Sequence, residues 1–82
     1  MMHDNMVQAY NTLKNPSLTR AYARRKALAY LRNALWSRRP TPHDFNWYVL
    51  TLAIDVLERP LHVAPTRNER VKKLLQDYFI MA

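Results

Sequence analysis

The chain has 82 residues, thirteen Lys or Arg against six acids, no cysteine and no glycine. That length makes one domain with a modest core, and the missing cysteine excludes disulfides and thiolate metal sites. The missing glycine excludes phosphate-cradling loops, and with them most nucleotide-dependent enzymes; it also leaves few good turns for tight hairpins, so the expected fold is all-α.

The first helix is expected over about 5–14, behind Asp4 as cap, with Met2, Met6, Ala9, Tyr10 and Leu13 on one side. Asn15-Pro16 stops it, because the residue before a proline is pushed out of the helical region. The second is expected over about 18–38, capped by Ser17 and stopped by Pro40; its Ala, Leu and Arg content favours helix. The third, about 42–58, opens on Thr41-Pro42-His43-Asp44, a capping Thr with Pro at the first helical position. Its polar positions Thr51, Asp55 and Glu58 leave only a narrow wedge, so it is expected to be the enclosed, central helix, with Phe45, Tyr48, Val49, Leu52 and Val56 as its main face. The fourth, about 67–80, repeats the capping signal at Thr66–Glu69 and carries Val71, Leu74, Leu75, Tyr78 and Phe79 on one face. Between the last two helices, Leu61 and Val63 are expected to tuck under the fourth, with Ala64-Pro65 as a lesser candidate for an accessible docking segment. Together these predict a compact four-helix bundle in a single domain.

Charge divides the chain. Residues 1–43 hold eight Lys or Arg against Asp4 alone, whereas residues 44–82 hold five of each sign. Excess charge confined to one half points to an acidic macromolecule, either a larger protein or DNA or RNA. The second helix carries most of that excess and does not pattern like a simple surface helix. Leu28, Leu31 and Leu35 form one apolar line, while Leu18, Tyr22, Ala29 and Trp36 form another, with Arg25, Arg32 and Arg39 running between them. Such disagreement between patterning and burial is expected at functional positions. The candidate partner-binding residues are therefore Arg20, Tyr22, Arg24, Arg25, Lys26, Arg32, Trp36, Arg38 and Arg39. Arginine suits carboxylate or phosphate through its planar fork, and Tyr and Trp are frequent interface anchors.

Other chemistry finds little footing. His3, His43 and His62 show no paired spacing for a metal, and no nucleophile or carboxylate pair stands out. No enzyme, metal or cofactor is expected. A helix-turn-helix would require the apolar, acid-bearing third helix to read DNA, so any nucleic-acid contact would be to the phosphate backbone. The start has no basic leader ahead of an apolar run, and the most apolar segment, Trp47–Leu57, falls far short of the ~20 residues a spanning helix needs. A soluble, cytoplasmic protein, at most peripheral to a membrane through its basic second helix, is expected. Short, glycine-free, basic and helical, the chain has the character of small accessory proteins carried by phages and plasmids. The expected function is a non-enzymatic regulator or inhibitor of a larger protein, such as a component of nucleic-acid machinery. Direct nucleic-acid binding is the alternative. Homo-oligomerisation through Trp47, Leu50 and Ile54 of the third helix is a third.

Overall fold

The computed structural model describes residues 2–38 and 44–81. Arg39, Pro40, Thr41, Pro42 and His43 lie outside the described residues, as do the side chains of Met2 and Arg38. The described residues form four helices and no strand: α1 (Met2–Lys14), α2 (Arg20–Arg38), α3 (Phe45–Glu58) and α4 (Arg67–Met81). The fold is an all-α four-helix bundle.

Three helix starts differ from expectation, and for α2 and α3 the hydrogen bonds show why. α1 begins at Met2, so Asp4 sits in its first turn rather than capping it; a carboxylate is stabilising there too, facing the N-terminal end of the helix dipole. α2 begins at Arg20, because Thr19 and not Ser17 is the cap. Thr19 Oγ1 accepts from the Tyr22 amide at 3.1 Å, and the Thr19 carbonyl accepts from Ala23 at 2.9 Å. The Ser17 amide instead donates to Asn15 Oδ1 at 2.9 Å, an Asx turn that carries the chain around Pro16. α3 begins at Phe45, where the Asp44 carboxylate accepts from the Asn46 amide at 2.7 Å. Asp44 is thus the cap itself and not the acid of a box begun by Thr41. α4 starts as expected, with the Thr66 carbonyl accepting from the Arg70 amide.

Each helix packs mainly on two neighbours: α1 and α3 both contact α2 and α4, in a body of 31 × 24 × 22 Å. The α1–α2 pairing is the most extensive. Arg32 of α2 pairs with Glu58 of α3, which identifies the edge of α2 that meets α3. The edge on the other side of its core-facing leucines carries Ala23, Ala27 and Ala34, all buried, and α1 adds buried Ala9. Small side chains at a helix contact let the axes approach closely, which accounts for that pairing. The core between the helices is filled by Met6, Leu31, Leu50, Leu57, Val71 and Leu75, all fully buried.

Among the described residues α3 supplies more large buried side chains than any other helix, namely Val49, Leu50, Val56 and Leu57. It is not, however, enclosed on all sides. Phe45, Tyr48 and Leu52, expected in its main buried face, are 51%, 50% and 49% exposed. The reason is that a pair of neighbouring helices leaves much of a helix circumference uncovered, and Val49, Ala53, Val56 and Leu57 already face them. α4 buries Val71, Leu75 and Tyr78 as its pattern predicts, with Leu74 and Phe79 at the margins. His3 and Tyr10 of α1 meet the Phe79 ring edge-on.

The 60–65 link also departs from expectation. The Pro60 carbonyl accepts from both Val63 and Ala64 at 3.0 Å, which folds the link into a tight helical turn. That turn buries Ala64 and leaves Leu61 and Val63 exposed. It is Ala64 that tucks inward, so Ala64 is not an accessible docking point.

The caps give a direct test. Thr19→Ala removes a bonded cap and should cost about 1 kcal/mol in denaturant unfolding, while Ser17→Ala should stay within about 0.5 kcal/mol, as exposed sites usually do. Equal losses would contradict the placement of the α2 start.

Candidate partner-binding face of α2

Which of the two apolar lines of α2 turns inward is settled by burial. Ala27, Leu28, Leu31 and Ala34 are buried and Leu35 packs against the core. Tyr22, Ala29 and Trp36 therefore form the outward line, with Tyr22 43% and Trp36 77% exposed. These three are spaced by seven and share one side of the helix, reaching ~21 Å from end to end at 1.5 Å per residue. Arg25 and Arg32 are exposed on one flank of that line, Lys26 and Asn33 on the other.

The nine expected residues do not all belong to this face. Tyr22, Arg25, Lys26 and Trp36 share it. Arg20 and Arg24 fall on the core-facing side, in line with Leu28 and Leu31 but one or two turns earlier. α4 reaches this end of α2: Asn68, a buried polar residue, donates from Nδ2 to the Arg20 carbonyl at 3.2 Å. The Arg24 side chain is half-buried, and its Nε is buried without a hydrogen-bond partner. Arg32 is on the face but is held by the Glu58 carboxylate of α3. Both side chains are about half exposed, so the tie adds at most about 1 kcal/mol to stability. Its larger effect is to cancel the charge at that position. Arg38 lies at the end of α2, its side chain outside the described residues, and Arg39 is outside them altogether.

Few carboxylates are left to answer these cations. Among the described residues the ion pairs are Arg32–Glu58, Arg59–Asp55 and Lys73–Asp77, and none involves Arg20, Arg24, Arg25 or Lys26. Asp44 caps α3, while Asp4 and Glu69 occupy first turns of α1 and α4. The outer face of α2 is thus a cationic surface with an apolar line along its middle.

Sequence reasoning placed Ala29 on the right line yet gave it no role; at the centre of the outward line its small side chain lets another chain come close. The apolar edge of α3 was missed, because the periodic pattern that marks Phe45, Tyr48 and Leu52 is the same whether they face the core or solvent. Among the described residues no group of three His, Asp or Glu could hold a metal ion, and no helix is long and apolar enough to cross a membrane. Comparison with protein-family models, curated proteins and solved structures gives no match.

The two tryptophans allow the face to be read in solution. With Trp47→Phe leaving Trp36 as the sole indole, iodide should quench the emission more strongly than caesium at low ionic strength, because cations attract the anionic quencher. Equal quenching by both would contradict a cationic surround.

Proposed function

We propose that this chain is a non-enzymatic binding module that regulates or inhibits a larger protein by docking the outer face of α2 onto an acidic surface of it. The observation that carries the reading is the arrangement of that face. Tyr22, Ala29 and Trp36 form the apolar middle, and Arg25 and Lys26, without an ion pair among the described residues, stand at its flanks. Protein interfaces have this anatomy, with an apolar aromatic centre inside a polar rim. A surface for phosphate backbone is better served by cations in the middle, since charge neutralisation supplies most of such affinity. The small Ala29 between two large aromatics fits a partner helix crossing at mid-length, its acidic flanks facing Arg25 and Lys26. The larger protein is proposed to be a component of nucleic-acid machinery that presents such an acidic face.

The competing reading is direct contact with nucleic acid, which the net charge of +7 and the acid-free stretch 5–43 favour. Two variants separate them. Trp36→Ala should abolish capture of a nuclease-resistant partner from lysate, as should Arg25→Glu combined with Lys26→Glu. Generic duplex DNA should bind the wild-type chain only weakly. Tight DNA binding that falls steeply with salt and ignores Trp36→Ala would overturn the protein-docking reading in favour of phosphate contact.

A further inference from the structure

On the α3–α4 side of the molecule lies a second, chemically different surface. Phe45, Tyr48 and Leu52 run along one edge of α3, and beside Leu52 a groove of about 220 Å³ opens between the two helices. Val56, Val71 and Leu74 line its apolar part, and Arg70, Lys73 and Asp77 of α4 form its rim. The aromatic end of this edge is held in place before anything binds. Phe45 stacks on Tyr78 at 5.7 Å between centroids, and the Tyr78 hydroxyl donates to Asn46 Oδ1 at 2.6 Å. A fixed aromatic loses little conformational entropy when it is covered, which favours its use as an anchor.

We infer that this α3–α4 face is the contact between two copies of the chain, paired about a two-fold axis. The first argument is charge. The half of the sequence that builds the face is neutral, with five Lys or Arg and five acids over 44–82, while the entire excess of +7 lies in residues 1–43. Two copies can meet here without pressing their basic helices together. The second argument is the order of charges along the rim. Among the described residues Arg70 has no ion pair, and Asp77 is only loosely held by Lys73 at 3.7 Å, with both side chains mostly exposed. Arg70 and Asp77 stand two turns apart on the same side of α4, with Leu74 near the midpoint. In a two-fold dimer whose α4 helices run antiparallel, Arg70 of each copy faces Asp77 of the other, and the pairing occurs twice. A closed two-fold interface requires such a self-complementary patch. A stable dimer covers about 800 Å² on each partner, so the contact extends beyond the groove over the exposed Phe45, Tyr48 and Leu52.

The dimer would carry its two α2 faces on the outside. Simultaneous engagement of both by a partner with two acidic sites would raise avidity with no new contact.

Sedimentation equilibrium tests the pairing. The wild-type chain should show a concentration-dependent dimer, and Leu52→Glu should shift it to monomer with helical circular dichroism unchanged. Charge exchange tests the register without relying on a single variant. Arg70→Asp alone and Asp77→Arg alone should each be monomeric, since each sets like charges opposite one another. An equimolar mixture of the two should recover the dimer, as should the double variant. A wild-type chain that stays monomeric into the submillimolar range overturns the inference. So does a dimer that neither Leu52→Glu nor the charge changes weaken.

Discussion

A helix can turn only one side toward a core, and α2 carries two apolar lines. The bundle buries Leu28 and Leu31 with Ala27 and Ala34, and packs the partly buried Leu35 against the core. Everything else about the molecular surface follows from that choice. The alanine edge admits α1 at close range, which makes the α1–α2 pairing the broadest in the fold. The opposite edge carries Arg32 to Glu58 and ties α2 to α3. The other apolar line, with Trp36 at its C-terminal end, is left facing solvent. An indole that is 77% exposed adds little to this core, which is why the outer line is the part of α2 proposed for contact.

The supply of carboxylates sharpens the same point. Six acids serve thirteen cationic side chains, and their positions follow helix ends and the α3–α4 half. Asp44 caps a helix, Asp4 and Glu69 sit in first turns, and Asp55, Glu58 and Asp77 are in ion pairs. Apart from the Glu58 tie to Arg32, none serves α2. Among the described residues Arg25 and Lys26 of its outer face are therefore left without an ion pair. The two surfaces differ in kind: α2 carries most of the chain's cationic excess, whereas the half of the sequence that builds α3 and α4 balances its charges, in keeping with the two different contacts proposed for them.

Much of the fold could be read from the residues. Pro16 and Pro60 delimit helices because a proline restricts the residue before it, and the Thr66 start was legible from its capping pattern. The starts of α2 and α3 were misplaced because Ser17, Thr19, Thr41 and Asp44 are all competent caps, and only tertiary geometry selects among them. On α3, periodicity marked nearly the whole circumference as apolar, and no local signal says which side the neighbouring helices will cover. The self-association surface expected at Trp47, Leu50 and Ile54 fails for the same reason: Leu50 is fully buried, Ile54 packs against the core and Trp47 is half-buried. Within the candidate face, the sequence showed the seven-residue spacing and set Arg20 and Arg24 in line with the core leucines, but not that Arg24 is half-buried there while Arg20 stays exposed. The Arg32–Glu58 tie joins residues 26 apart, beyond the reach of any local pattern.

If the outer face of α2 is surplus to folding and kept for contact, replacing its side chains should leave the bundle intact. The direct measurement is the unfolding free energy of a chain carrying Arg25→Glu, Lys26→Glu and Trp36→Ser, taken in denaturant against the wild type. Stability equal to or above wild type is expected, because surface changes each stay within about 0.5 kcal/mol and the lower net charge relieves self-repulsion. A loss of several kcal/mol would show instead that these side chains hold the bundle together, and that the face is not free for a partner.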